Sequence, residues 1–230
     1  MTVKGCMVDF SGTLFRMEPA AAWLGAVLAE QGVPATEDEI PGWARRLEEA
    51  GAQPGGALPR EVPAALAATW RDRDLNAERH RAAYTGLSRT TGLPWDVHDA
   101  LYARHHDPAA WQPYPDAGQV LGELRARGVP VAVVSNIGWD LRPVFRAHGL
   151  DGYVDAFVLS CEHGVMKPDA RIFRIACEAL GVAPEDAVMV GDSARADGAA
   201  AALGSRVLLV DPLPVAQRPY ALRGVLDLLG

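Results

Sequence analysis

The second half of this sequence alternates short, wholly apolar runs with amphipathic stretches, and no other feature narrows the fold as much. From about position 113 onward, "VPVAVVS" (129–135), "AFVLS" (156–160), "AVMVGD" (187–192) and "RVLLVD" (206–211) have the length and continuous apolarity of strands buried on both faces. Between them, "DAGQVLGELRARG", "DARIFRIACEALG" and "SARADGAAAALG" read as helices. Each ends at a glycine able to take the left-handed C-terminal conformation. Strands without polar alternation, separated by helices, predict an α/β fold: a Rossmann-like parallel sheet with helices on both faces. The opening run "VKGCMVDF" (3–10) supplies one more strand.

Residues 16–112 differ in texture. They contain no convincing strand and are rich in Ala, Arg, Trp and Glu. Helical pieces are predicted near 19–31, 37–50, 61–72, 76–91 and 95–105, broken by "GVPAT", "GAQPGGALP" and "GLP". The expected organisation is an α/β core from 1–15 and 113–230, with an all-helical module of 16–112 inserted after the first strand.

Composition excludes several functions. A net charge of −7 argues against a nucleic-acid partner, whose phosphates require a basic surface. Membrane association is not expected, because no uncharged apolar run approaches the roughly 20 residues a span needs. The three cysteines lack metal-like spacing, and Cys6 and Cys177 sit in apolar patterns. Buried free thiols in a reducing, cytoplasmic compartment are the expectation, as a monomer or homodimer.

Ligands of open parallel sheets bind beyond the carboxyl ends of the strands. Polar residues gather at those predicted ends: Asp9, Ser135 with Asn136, Lys167 just before a helix, and Asp192 with Asp197 shortly after. Lys167 is one of only two lysines in the chain. Taken in order, "DFSGTL", "VVSN", "MKPD" and "GDSARAD" resemble the four motifs of the haloacid dehalogenase superfamily, hydrolases and phosphotransferases with an aspartate nucleophile. The helical insertion after the first motif resembles that family's C1 cap.

The resemblance implies a Mg²⁺-dependent phosphatase or phosphotransferase acting on a small phosphorylated substrate. Asp9 would be the nucleophile. Asp9, the main-chain carbonyl of Ser11 and Asp192 would hold the metal, which screens repulsion between carboxylate and phosphate. Ser135, with backbone N–H groups around Gly12, Thr13 and Asn136, would hold the phosphoryl oxygens. Lys167 would neutralise the developing charge, and Asp197 would orient Lys167 or a metal-bound water.

The pattern fails at Ser11, where the family's phosphatases carry a second aspartate as general acid and base. A hydroxyl cannot replace it near neutral pH, and acid–base catalysis is worth about 10²–10⁴-fold. A histidine of the insertion (His80, His98, His105 or His106) could take the role, with "ARHHDP" the most suggestive stretch. Two other readings fit the serine. One is a 2-haloacid dehalogenase, whose halide leaves without a proton. The other is a catalytically impaired protein that binds phosphorylated metabolites.

Overall fold

The computed structural model describes residues 3–229. The five apolar runs form one parallel sheet. Its strands are β1 (Gly5–Val8), β4 (Val131–Ser135), β5 (Ala156–Leu159), β6 (Ala187–Gly191) and β7 (Arg206–Leu209), in the order β5-β4-β1-β6-β7. Central strand β1 pairs Met7 with Ala132 on one side and Met189 on the other. Its side chains divide between two cores, which explains the absence of polar alternation. Cys6 and Val8 join Val133, Val188 and Val190 on one face, and Met7 joins Ala132, Val134 and Met189 on the other.

Helices cover both faces. In chain order they are α1 (Ala20–Glu30), α2 (Glu39–Glu49), α3 (Ala67–Arg71), α4 (Ala77–Thr90), α5 (His98–Arg104), α6 (Ala117–Ala126), α7 (Arg142–Ala147), α8 (Ser160–His163), α9 (Ala170–Leu180) and α10 (Gly224–Asp227). Helix α6 packs Val120, Leu121 and Leu124 onto the Cys6 face, together with Val225 of α10. Helix α9 packs Ile172, Phe173, Ala176 and Cys177 onto the Met7 face, the spacing of one helical stripe. Asp169, two residues after Lys167 in the turn between α8 and α9, caps α9 by accepting a hydrogen bond from the Arg171 amide (2.9 Å).

Two expectations required correction. "SARADGAAAALG" is not an α-helix: residues 193–197 form a turn, followed by a 3-10 helix over Gly198–Leu203. The Asp197 carboxylate accepts from the Ser193 amide (2.9 Å), a local bond that favours the turn over a helical start. Nor is the 16–112 stretch entirely helical. Strands β2 (Phe15–Met17) and β3 (Trp111–Pro113) pair antiparallel at its two junctions, Arg16 opposite Gln112. Strands of three residues are too short to show a period. The segment predicted helical over 61–72 is a 3-10 turn, Ala64–Leu66, running into α3.

Cys6, Cys161 and Cys177 are free thiols, the first and last buried. Among the described residues no helix is long and apolar enough to cross a membrane.

Candidate active site

The chain order reverses at β1: β4 and β5 lie to one side, β6 and β7 to the other. At this switch point the strand ends open into a cavity of about 260 Å³, lined by Asp9, Ser11, Ser135, Asn136, Lys167, Asp192 and Asp197. That is near the lower end of the ~300–1,000 Å³ typical of small-molecule sites.

Lys167 is the hub. Its ammonium donates to Asp9 Oδ1 (2.7 Å), Asp197 Oδ1 (2.6 Å) and the Val134 carbonyl (2.8 Å). Burial disfavours its charge, but Asp9 and Asp197 outweigh that and hold its pKa above the usual lysine value. Asp9, Asp192 and Asp197 each bring a carboxylate oxygen to within 4.8 Å of the others. Burial lifts the Asp9 carboxyl to about 7. The charges of Asp197 and Asp192 add to the rise, and Lys167 opposes it. Asp192 is raised for the same reasons, burial first and then Asp197.

Two glycines allow this crowding. A Cβ on Gly191 would lie 2.2 Å from the Asp197 carboxylate, and one on Gly12 (φ +80°) would lie 2.5 Å from Asp192 Oδ2. Gly191→Ala is therefore expected to displace Asp197 and lower unfolding stability by about 1–3 kcal/mol, read from urea denaturation.

Ser11 lines the cavity beside Asp9. Its hydroxyl donates to the Gly55 carbonyl (3.2 Å), tying the 51–59 loop to the loop that follows β1. Gly55, at φ +76°, presses against Trp111, where a Cβ would come 2.4 Å from the ring. Of the residues whose amides were expected to help hold phosphoryl oxygens, Gly12 and Thr13 have theirs engaged within the protein. The amides of Gly12 and Thr13 donate to the carbonyls of Phe15 and Phe10, and the Thr13 hydroxyl is buried without a partner. The Asn136 side chain accepts from the Lys167 amide (2.7 Å) and donates to the Lys167 carbonyl (2.8 Å). These groups shape the loops around the site.

The histidine expectation also changes. His105, from "ARHHDP", is wholly buried, bonds the Tyr102 carbonyl and stacks with His106 and Trp139. Burial, and then the charges of His106 and His80, push it well below the usual histidine range. His98 is paired with Ser88. His80 alone of the four lines the cavity, and burial with the nearby Arg73 charge drives it to about 3, so it is neutral at pH 7.

Asp74 and Arg218 carried no functional signal in the sequence, and Arg73 only the general one of an arginine in the inserted segment that could bind an anionic group. Arg73 and Asp74, within "RDRD", line the cavity from the inserted segment, although a charge run ordinarily reads as a solvated face. Arg218 reaches back 206 residues to donate to the Gly12 carbonyl (2.6 Å), and also to that of Thr13, while stacking on Tyr114. It braces the loop that follows β1.

Comparison with known proteins agrees with this geometry. A family model for haloacid dehalogenase-like hydrolase matches residues 3–204. A phosphoserine phosphatase of Thermus thermophilus is 36% identical over 135 residues, covering 58% of this chain and 54% of that protein. (S)-2-haloacid dehalogenase 1 of a Pseudomonas species is 32% identical over 117 residues, 50% of each chain. The chain thus spans about half the length of these curated relatives. A dehalogenase crystal structure superposes with a TM-score of 0.67 at 23% identity, covering 99% of this chain and 97% of that one, which speaks to the fold. The chain belongs to the haloacid dehalogenase-like hydrolases.

Proposed function

We propose that the protein is a Mg²⁺-dependent phosphatase of small phosphorylated metabolites, acting through an aspartyl-phosphate on Asp9. The observation that carries this reading is the charge balance of the site. Three carboxylates, Asp9, Asp192 and Asp197, converge within 4.8 Å around one buried lysine. Buried charges require compensation, and the upward shifts of Asp9 and Asp192 express its absence. An oxygen-rich acidic site fits a hard divalent cation. Asp9, Asp192 and the Ser11 carbonyl would hold it, Asp197 being engaged by Lys167. When bound, Mg²⁺ supplies the positive charge that lets a carboxylate approach a phosphate dianion.

The remaining work falls to the chain. Asp9, fixed by Lys167, attacks phosphorus. Ser135, at the end of β4, faces the phosphoryl oxygens, and Lys167 offsets their charge. The helical segment 16–112 acts as a cap over the core formed by 1–15 and 113–230, and the cavity it encloses suits a metabolite rather than a phosphoprotein. The free thiols suit a reducing, cytoplasmic setting.

Hydrolysis of p-nitrophenyl phosphate is expected to require Mg²⁺, to cease in EDTA and to return on adding the ion. Chloride release from a 2-haloacid in EDTA, with no phosphatase activity, would instead establish the dehalogenase reading. Ser11 and the similarity to a haloacid dehalogenase are the observations that favour it. Tight phosphate binding without turnover would mark the third reading, an impaired binding protein.

A further inference from the structure

The geometry points to Asp74 as the proton carrier that Ser11 cannot be, facing the nucleophile from the inserted segment across the same cavity. This assignment rests on the phosphatase reading. Asp74 lies in a 3-10 turn, Arg73–Leu75, and is 3% exposed. Ser160 donates to the Asp74 carbonyl and also accepts from the Ile137 amide (2.9 Å), which fastens this turn to the loop after β4. The side chain lines the cavity that holds Asp9, Ser11, Ser135 and Lys167. Its carboxylate has one charged neighbour, Arg73 Nη2 at 3.3 Å, with the neutral His80 ring beyond it (Nε2 at 3.8 Å), and no hydrogen bond from any described residue. A buried acid left this free has its hydrogen-bonding capacity available for a ligand.

Its surroundings suit proton transfer. Burial raises the Asp74 carboxyl to about 6, against the pull of Arg73 and Lys167. A group poised there exists in both protonation states near neutral pH. Arg73 is itself fixed, stacked on Trp70 with its guanidinium 3.9 Å from the ring centre and donating to the Trp70 carbonyl (2.9 Å). His80 contacts the Tyr102 hydroxyl through Nδ1 (2.9 Å). With the proton on Nε2, the ring accepts from Tyr102 and turns its N–H toward Asp74.

In the first half-reaction the Asp9–phosphorus bond forms as the ester P–O bond breaks, and protonated Asp74 gives its proton to the departing alkoxide oxygen. In the second, the Asp74 carboxylate takes a proton from water as the water oxygen bonds to phosphorus and the bond between phosphorus and the Asp9 oxygen breaks. Inorganic phosphate leaves, and both residues return to their starting states.

The test compares Asp74→Asn with the wild-type Mg²⁺ enzyme on two probes, p-nitrophenyl phosphate and glycerol phosphate. An acid matters most when the leaving alcohol is basic. The kcat/KM for glycerol phosphate is expected to fall about 10²–10⁴-fold, and that for the nitrophenyl ester far less. The variant should also show a burst of one nitrophenolate per enzyme, because the second half-reaction has lost its base. In Asp74→Ala, added formate should restore turnover of glycerol phosphate at least tenfold, a response no structural role gives. Equal losses on both substrates without formate rescue, or no loss on either, overturn the assignment while leaving the phosphatase reading intact. A wild-type enzyme inactive on both esters with Mg²⁺ overturns both.

Discussion

Asp9→Asn is expected to reduce phosphatase turnover by at least about 10⁴-fold, to the level of background hydrolysis, while raising the stability of the metal-free protein above pH 7. The first effect follows from removing the nucleophile, for which an amide is no substitute. The second follows from the electrostatics of the site. Burial, with Asp197 and Asp192 nearby, lifts the folded-state Asp9 carboxyl from about 4 to about 7. The native state therefore binds a proton there that the unfolded chain releases at lower pH. The stability this confers is fully present below about pH 4 and is lost as pH rises through about 7. Asparagine mimics the neutral carboxyl and cannot ionise. In EDTA, the melting temperature of the wild type should thus decline between pH 4 and 7 more steeply than that of the variant. Mg²⁺ should restore the wild type at pH 8 and affect the variant less. A variant less stable than wild type at pH 8 in EDTA would contradict this account, since it would mean that ionised Asp9 supports the fold. Opposite changes in activity and stability are the signature of a residue retained for chemistry rather than for packing.

The parallel sheet was legible because its strands are buried on both faces: alternate residues of β1, Cys6 and Val8 against Met7, feed different cores, so the entire run is apolar. Asp9, Ser135, Lys167 and Asp192 were legible because a polar residue at the end of such a run marks the mouth of the sheet. What escaped is what tertiary contact alone creates. Asp74 in "RDRDLN" carries no local mark of burial, and it is the docking of its turn on Ser160 and against His80 of α4 that takes it out of water. Arg218 lies in a C-terminal stretch without periodicity, and its partners, the carbonyls of Gly12 and Thr13, are backbone atoms that no side-chain pattern announces. The histidines misled for the converse reason. Their ordinary titration range suits acid–base chemistry, but burial removes His80 and His105 from it, and the same burial brings an aspartate into it.

Lys167→Met should be the most destabilising of these substitutions, by about 3–5 kcal/mol at pH 8 without metal. The lysine makes three contacts of 2.6–2.8 Å, two of them to buried carboxylates. A methionine fills much the same volume but leaves Asp9 and Asp197 with no cation between them, and removing one partner of a buried pair costs far more than the pair contributes. The pH dependence has a definite sign. Lys167 holds the Asp9 carboxyl down against burial, so without it that pKa climbs further, and the deficit relative to wild type must widen as pH rises from 5 to 8. Denaturation curves at the two ends of that range would show it, and a deficit constant across them would argue that Lys167 serves packing instead. Mg²⁺ should recover part of the loss, because a cation held by Asp9 and Asp192 compensates some of the charge the ammonium no longer balances. Turnover should not recover with it. Arginine is no remedy either, since its planar fork cannot place one compact charge between two carboxylates and the Val134 carbonyl. Of the two lysines in the sequence, Lys4 pairs at the surface with Asp186. The other is the charge that holds Asp9 and Asp197 together in the site, and on the proposed mechanism the reactivity of Asp9 depends on it as well.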